Sequence, residues 1–383
     1  MAAIGVDNAF GLAVFHLGTK AGIHNAYGLQ NWRSGVLASG IAFYDPYYGS
    51  RDDPVIYLFD VLHGPESVGI VAIAGSDAIG TTLSFMRSFG PENLLTTIQE
   101  LSRLIEETYG IGSTSIIPVV YSYPKLGIMG KKSNNDVVIF DLLSHALIHE
   151  GLLPDSPVDD MQGLLIWSFW DNFPQAGNAA SAWAEEAAAI STILNSRSLS
   201  VNRATQNAVG TKLARSIQDA PPTISQHIMP LPLVGQTSNI FCAPASLQMI
   251  YRYIFQNDIP QDDIAREMSI TAAGSTLSGQ LNAYRLYFGK TFEVSLNRAP
   301  SGEVVVNALN SYLPVKCGIR GHSRVITGFR TETYVDPLSG KIILSDVSAM
   351  VNDPEPVGYG SVVWENTKQN NWMDIIELKR HDA

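Results

Sequence analysis

The sequence is poor in cysteine. Cys242 and Cys317 are the only two cysteines among 383 residues. Two cysteines cannot build a framework of several disulfides or a four-cysteine zinc site. A single disulfide between them remains open, and a free thiol remains open as well. The cysteine content therefore excludes small disulfide-stapled and zinc-ribbon folds, and it leaves the cellular compartment undecided.

The sequence also has little positive charge. Lys and Arg total 25 against 36 Asp and Glu, so the formal net charge is −11 and the pI is about 5.2. No run of Lys or Arg is longer than the pair Lys131–Lys132. This balance argues against non-specific binding of nucleic acid and against attachment to an anionic membrane surface. We expect no nucleic-acid partner and no membrane partner.

Long apolar runs are missing too. No uncharged apolar stretch reaches the roughly 18 residues that suggest a membrane-spanning helix. The first residues, MAAIGVDNAFGLAVFHLG, have no basic segment and contain Asp7, which makes them a poor signal peptide. The location is left open: the protein is secreted if a signal peptide has been removed, and cytoplasmic otherwise.

Length and element pattern predict an α+β protein of more than one domain. A chain of 383 residues exceeds one ordinary core. We predict an α+β domain at 1–125, a mostly helical segment with a proline-rich linker at 126–230, and a third domain at 231–383. Four prolines between Pro221 and Pro232 mark the linker. In the third domain helices precede an antiparallel sheet, an α+β order.

Several local patterns support these boundaries. VIYLFDVL and VGIVAIAG are β-rich runs separated by turn formers, which predicts a hairpin. PENLLTTIQELSRLIEETYG has helical spacing and ends at Gly110. DVVIFDLLSHALIHEG and ASAWAEEAAAISTILNS are also interpreted as helices. In the last domain we predict helices at Cys242–Phe255, IPQDDIAREM, SGQLNAYRLYFG and VVVNALNSYL, followed by strands with a turn at DPLSG.

Cys242 is a candidate nucleophile because it stands at the predicted start of a helix. A thiol reacts as the thiolate, whose free pKa near 8.5 is lowered by a helix N-terminus and by an adjacent imidazolium. The helix dipole favours an anion at this end. The alternative is that Cys242 is a small buried core residue. Cys317, in the apolar run PVKCGI, is interpreted as a core thiol.

His322 is the candidate partner of that thiol. It follows Gly321 and opens the β-run SRVITGF, a rigid place from which an imidazole can reach a helix end. The second ring nitrogen needs an orienting acceptor. Asp346, at the end of the run KIILSD, is the first choice, and it could instead be an ordinary turn former. Asp336 in the turn and Asp353 beyond the predicted strand fit less well.

Gln236 completes the group as a candidate oxyanion donor. It stands six residues before Cys242. A side-chain amide there could lie beside the backbone N–H of Cys242 and bind a developing oxyanion together with it. The alternative is an ordinary polar loop residue.

These pieces, in this order, resemble the papain-like cysteine peptidases. Glutamine six residues before a helix-start cysteine, Gly-His before VITGF, and an aspartate after the next strand carry the likeness. GSTLSGQLNAYRLYFG resembles streptopain-like enzymes, whereas LSDVSAMVNDP is closer to bacteriocin-leader peptidases. The resemblance covers about Leu231 to Asp353. It implies peptide or protein substrates, a Cys242–His322–Asp346 triad with Gln236, and no organic cofactor or metal.

The N-terminal part resembles a streptopain-type propeptide. The stretch from YLFDVLHGPESVGIVAIAGSD to the helix ending in EETYG follows the strand, strand, helix order of such pro-regions. The resemblance implies a zymogen whose own N-terminal region, up to about residue 225, blocks the cleft. Cleavage would then fall near Pro221–Pro232.

Other functions remain open on the sequence alone. The same triad supports acyl transfer, including transamidation or peptide cyclisation, and a non-catalytic binding protein could keep the fold. His145 and His149 have the spacing of one helix face, but HALIHE lacks the HExxH pattern and a third ligand. We therefore expect no metal site there.

Overall fold

The structure is a computed structural model of the chain. It describes residues 2–23, 28–29, 32, 34–48, 54–88, 93–154, 161–162, 166–172, 178–196, 222–298, 300–336, 339–367 and 372–381. The polar stretch 197–221 lies outside the described residues, whereas the rest of the expected cleavage region, 222–232, is described.

The chain divides into two compact units. The first comprises 1–153, 168–225 and 331–347, and the second comprises 154–167, 226–330 and 348–383. The segment 331–347 belongs to the first unit although it lies inside the sequence of the predicted third domain. Asp346 therefore belongs to one unit, and Cys242 and His322 belong to the other.

The first unit opens with helices and strands that include the predicted hairpin and the predicted helix that ends at Gly110. They are α1 (Val6–Leu17), a π-helical turn (Gly18–Ile23), β1 (Val36–Leu37), β2 (Ile41–Phe43), β3 (Ile56–His63), β4 (Glu66–Ala74), β5 (Leu83–Arg87) and α2 (Leu94–Tyr109). Strands β3 and β4 form the predicted antiparallel hairpin. Helix α2 is capped by the Asn93 side chain and ends at Gly110, whose φ of 66° suits glycine.

The next segment corrects the prediction of a mostly helical middle region. It forms an antiparallel sheet of β6 (Ile116–Ser122), β7 (Lys125–Lys131), β8 (Val137–Asp141) and β9 (Leu147–Gly151), in that order. DVVIFDLLSHALIHEG is thus a hairpin. Asp141 accepts hydrogen bonds from the backbone N–H groups of Leu143 and Ser144, and this Asx-type turn breaks the run. A short apolar run does not distinguish strand from helix.

His145 lies in the turn and His149 in β9, so the two histidines share no helix face.

The remaining middle elements are short strands and helices. They are β10 (Met161–Gln162), α3 (Phe169–Asn172), α4 (Ala179–Ser196) and β11 (Thr223–Ile228). Helix α4 is the predicted ASAWAEEAAAISTILNS helix. Part of the predicted proline-rich linker is strand β11, which pairs with a later strand.

The second unit begins with the helices that the sequence predicts. Its elements up to residue 310 are α5 (Cys242–Phe255), α6 (Gln261–Glu267), β12 (Ser275–Thr276), α7 (Leu277–Phe288), β13 (Phe292–Arg298) and α8 (Gly302–Asn310). Leu247, Ile250 and Phe288 are buried in one apolar cluster. Burying a side chain of this kind contributes roughly 1.5–3 kcal/mol, so the apolar stripe of α5 anchors the helix that begins at Cys242.

The sheet of the second unit follows those helices. Its strands are β14 (Val315–Ile319), β15 (His322–Val335), β16 (Ile342–Asp353), β17 (Ser361–Asn366) and β18 (Asp374–Arg380). The parts of β15 and β16 that fall within 331–347 belong to the first unit. The order is β17-β16-β15-β14-β18-β13. Strands β13, β17 and β18 are absent from the sequence prediction. The strand predicted to end at Asp346 is also too short, because β16 continues through that residue to Asp353.

No helix among the described residues is both long enough and apolar enough to span a membrane.

Candidate active site

Cys242 is the first residue of α5 and is buried, with 2% of its surface exposed. The residue before it, Phe241, supplies no side-chain cap to the helix. The first-turn N–H groups of a helix have no partner within the helix and carry its positive dipole end. The thiol therefore lies where a negative charge is favoured, as the sequence predicted.

His322 is the first residue of β15 and faces Ile319 across a tight turn. Gly321, with φ of 70°, adopts the left-handed conformation that this turn requires. The imidazole is buried, with 1% of the residue exposed. A strand end in the sheet therefore holds the ring in one place.

The carboxylate bonded to His322 is Asp353, at 2.7 Å from Nε2 to Oδ1. Asp353 is the last residue of β16 and is fully buried. Its Oδ1 also accepts the backbone N–H of Glu355 at 2.9 Å. The hydrogen bond from Thr327 Oγ1 to the Met350 carbonyl shows how the two strands align. That alignment brings the start of β15 to the end of β16.

Asp346, the predicted orienting residue, lies elsewhere. Its Oδ2 accepts a hydrogen bond from Lys20 Nζ at 2.8 Å, and both side chains are buried. Lys20 also lies 3.9 Å from Glu332. These groups all belong to the first unit. Asp353 ranks lower on the sequence because the run KIILSD ends at Asp346. Proline after Asp353 was the available signal, since proline often ends a central strand.

The imidazole of His322 is held in its charged form. Burial by itself lowers the pKa of His322, but the Asp353 and Glu355 carboxylates and the hydrogen bonds with Asp353 and Cys242 raise it to about 9. Nδ1 is buried, and no hydrogen bond that meets the usual distance and angle joins it to another described residue. Because Nε2 is used by Asp353, we infer that Nδ1 is the atom turned towards the Cys242 thiol. The arrangement suits an imidazolium beside a thiolate.

Gln236 lies in the loop before α5 and is fully buried. Both atoms of its side-chain amide, Oε1 and Nε2, are buried, and neither has a hydrogen-bond partner among the residues that the structure describes. A buried amide left unpaired costs free energy, and a catalytic role is one explanation for such a group. Its backbone is fixed, because its N–H donates to the Pro354 carbonyl and its C=O accepts from the Gly358 N–H. The same segment that follows Asp353 therefore holds Gln236.

Glu355 is a charged neighbour that the sequence prediction does not include. The side chains of His322, Asp353 and Glu355 offer ligand atoms within 4.8 Å of one another, a spacing that a metal ion also accepts. The Nε2 atom of His322 is hydrogen-bonded to Asp353 at 2.7 Å. The geometry therefore favours a role for Glu355 in keeping His322 charged.

Cys317 has the opposite environment from Cys242. It lies in the middle of β14, opposite Arg324, and is fully buried. Burial raises the pKa of the Cys317 thiol to about 12. A thiol of that kind stays protonated and unreactive. Both cysteines are free of disulfides.

Comparisons with known proteins agree with the kind of site described. Residues 222–374 match the family model described as "Peptidase_C39 like family". Gln236, Cys242, His322 and Asp353 all fall inside the matched region. The family belongs to the papain-like cysteine peptidase superfamily. The mixed helices and antiparallel sheet of the second unit are consistent with such a domain.

Among solved structures, the peptidase domain of Streptococcus ComA, a bifunctional ABC transporter involved in a quorum-sensing pathway, is similar to this chain. The identity is 14%, the alignment covers 39% of this chain and 98% of that one, and the TM-score is 0.27. A TM-score of that size is too low to support a conclusion. No curated protein matches the chain. The family match supports a cysteine peptidase.

Proposed function

We propose that this protein is a papain-like cysteine peptidase that hydrolyses peptide bonds in peptide or protein substrates. The observation that carries the proposal is the 2.7 Å hydrogen bond that the buried His322 donates from Nε2 to Asp353, together with the interaction of the same ring with Cys242. Nucleophile, imidazole and orienting carboxylate are the three parts that covalent catalysis by a thiol requires.

In the proposed reaction the Cys242 thiolate attacks the scissile carbonyl carbon. The C–N bond of the tetrahedral intermediate then breaks, and the His322 imidazolium gives its proton to the leaving amine. The acyl group remains on Sγ as a thioester. Water then attacks the thioester carbon while His322 takes a proton from that water. The C–S bond breaks, which releases the acid product and regenerates the Cys242 thiolate beside the His322 imidazolium. Asp353 holds the ring in one tautomer throughout.

The unpaired amide of Gln236 supports the assignment of an oxyanion hole. Its Nε2 and the backbone N–H of Cys242 are the two donors that would bind the developing negative charge. An orphaned buried amide is costly in a resting protein, and a substrate oxyanion would supply its missing acceptor.

We further propose that the N-terminal region is an inhibitory pro-region. The support is the resemblance of its strand, strand, helix order to streptopain-type propeptides, together with the division of the chain into two compact units. On this proposal the intact chain hydrolyses peptides slowly, and its peptidase activity rises after the chain is cut near residues 215–235.

The proposal is tested with three proteins: the wild-type chain, Cys242→Ala, and the matched control Cys317→Ala. Hydrolysis of a randomised library of internally quenched peptides and the chain's own cleavage are followed together. We expect Cys242→Ala to lose at least about 10³-fold of the activity, since a triad acts as a unit, and Cys317→Ala to keep it. Peptide hydrolysis by Cys242→Ala at the wild-type rate would refute the proposal.

Two further measurements separate the alternatives. Mass spectrometry of the products, with and without an added primary amine, distinguishes hydrolysis, which gives an acid, from acyl transfer, which gives an amide. A wild-type chain that neither turns over peptides nor reacts with a peptide-like thiol reagent at Cys242 would be a binding protein. A cut that also occurs in Cys242→Ala would show that a different protease makes it.

A further inference from the structure

Within the described part of the chain, the side chain of Gln236 makes no hydrogen bond that would orient it. Its direction therefore depends on where the backbone of residues 235–237 is held. The Gln236 backbone is bonded to the segment after β16, as described above. The two neighbouring residues, Gly235 and Thr237, are held by a different residue, and it lies on α6.

That residue is Gln261, which makes four hydrogen bonds. Its Oε1 accepts from the Thr237 N–H at 2.9 Å and from Thr237 Oγ1 at 3.1 Å. Its Nε2 donates to the Gly235 carbonyl at 2.9 Å and to Gln248 Oε1 at 3.0 Å. One amide thus bonds the residues on both sides of Gln236. Only a glutamine or asparagine side chain offers an acceptor and two donors together.

The Gln261 amide is itself braced by α5. Gln248 donates from Nε2 to Asp258 Oδ1 and to the Ile259 carbonyl, each at 2.8 Å. Gln248 lies on the helix that begins at Cys242, so the brace connects the nucleophile's helix to the loop of Gln236. Gln248 and Gln261 are both buried, at 5% and 6% exposed. Buried and paired side chains of this kind hold one geometry.

We propose that Gln261 is a positioning residue of the oxyanion hole, acting through Gly235 and Thr237 to aim the Gln236 amide at the carbonyl oxygen. This inference rests on the proposed peptidase function. Gln261 does not touch the substrate. Its contribution appears only when the tetrahedral oxyanion forms, because misplacing a donor by about 1 Å can cost on the order of 10² in rate.

The test compares Gln261→Met, which keeps the length and removes all four hydrogen bonds, with Glu267→Ala, an exposed change on the same helix α6. A cavity of about 510 Å³ borders Gln248 and Gln261, so water can reach the backbone groups that Gln261→Met leaves unpaired. Gln261→Ala serves as a second variant, and thermal unfolding identifies variants that do not fold. Hydrolysis of the peptide library is measured with each full-length variant, in whichever form, intact or cut, is active for the wild-type chain.

We expect kcat of Gln261→Met to fall by roughly 10- to 100-fold, with little change in KM. Alkylation of Cys242 by iodoacetamide should keep its wild-type rate and pH profile, because that reaction forms no oxyanion. In the Gln236→Ala background, adding Gln261→Met should cost less than about twofold, since the amide that Gln261 aims is already gone.

Three outcomes decide the inference. Folded Gln261→Met and Gln261→Ala proteins with the activity of Glu267→Ala would overturn it and leave the peptidase proposal intact. Losses that add fully in the Gln236→Ala background would assign Gln261 a merely structural role and overturn it as well. A wild-type chain without Cys242-dependent turnover would overturn the proposed function and this inference together.

Discussion

Two buried aspartates on β16 have different partners and therefore different expected roles. Asp353 bonds to His322 at 2.7 Å, and Asp346 bonds to Lys20 at 2.8 Å. A carboxylate against an imidazole tunes and orients it, whereas a carboxylate against a buried lysine neutralises a charge. Substitution at the two positions should therefore separate activity from stability.

At Asp353 we expect Asp353→Ala to lower kcat/KM by about 10² or more, because the ring loses its orienting acceptor. Asp353→Asn keeps an acceptor and should lose less. Both changes remove a negative charge beside the imidazolium, so the pKa of His322 should fall below about 9 and the alkaline limb of the rate profile should move to lower pH. The pH dependence of kcat/KM measures this shift. An unmoved alkaline limb would contradict the assignment.

Asp346→Ala is the matched control on the same strand. It removes the carboxylate that lies 2.8 Å from the buried Lys20 Nζ, whereas the Glu332 carboxylate lies 3.9 Å away. Breaking a buried pair on one side costs about 3–5 kcal/mol of unfolding free energy. Urea denaturation measures the loss, and the folded fraction should keep the alkaline limb of the wild-type protein. Asp346→Ala would move that limb if Asp346 were the orienting residue after all.

At the scale of elements, the loop before α5 is held by close backbone packing. A Cβ on Gly235 would collide with the Tyr359 nitrogen and would come within 2.6 Å of the Gly358 carbonyl carbon. Both neighbours are backbone atoms, so they cannot swing aside as a side chain would. The loop of Gln236 and the segment after Asp353 are therefore packed against each other, and the spacing permits only glycine at position 235.

We expect Gly235→Ala to push this loop away and to lower kcat by about 10-fold or more, through the misplaced oxyanion donor. Gly302→Ala is the control. Gly302 begins helix α8, and no described atom lies within 4 Å of the position that a Cβ would take there, so alanine should be neutral or slightly stabilising. Steady-state kinetics and thermal unfolding of both variants check this. Equal activity of the two variants would contradict this prediction, because it would show that the loop accommodates a Cβ at position 235 without displacing Gln236.

At the scale of the whole chain, the raised pKa of His322 links stability to pH. The folded value of about 9 lies above the ordinary value of 6.5. The folded state therefore holds the proton more tightly than the unfolded state. The stability that results is present in full below about pH 6.5 and is lost as the pH rises through about 9.

We expect the urea midpoint of the wild-type chain to fall more between pH 6 and pH 10 than that of His322→Gln, which has no proton to lose in this range. Urea unfolding followed at several pH values measures the two curves, and circular dichroism at pH 6 confirms that the variant folds. Parallel curves would mean that His322 is not charged in the folded protein.

The secondary structure was predictable where the signals are local. The helix of Cys242, the stop of α2 at Gly110 and the β3–β4 hairpin follow from periodicity, caps and turn residues, and the structure confirms them. The run from Val137 to Gly151 was predicted as helix and forms strands. Its apolar residues fit the spacing of a helix and the spacing of a strand. Pairing with neighbouring strands decides that the run forms strands.

The sequence by itself determined which chemistry the chain offers: Cys242 at a helix start, Gln236 six residues ahead of it, and His322 at the start of a strand. Neighbouring residues specify these features, because caps, turns and apolar periodicity act within a few positions. Tertiary structure decided which aspartate meets His322. Asp346 is hydrogen-bonded to Lys20, which is 326 residues away in the chain. The length and alignment of β16 bring Asp353 to the imidazole of His322. Strand pairing and the partnering of buried charges depend on distant residues, and local sequence patterns do not contain them.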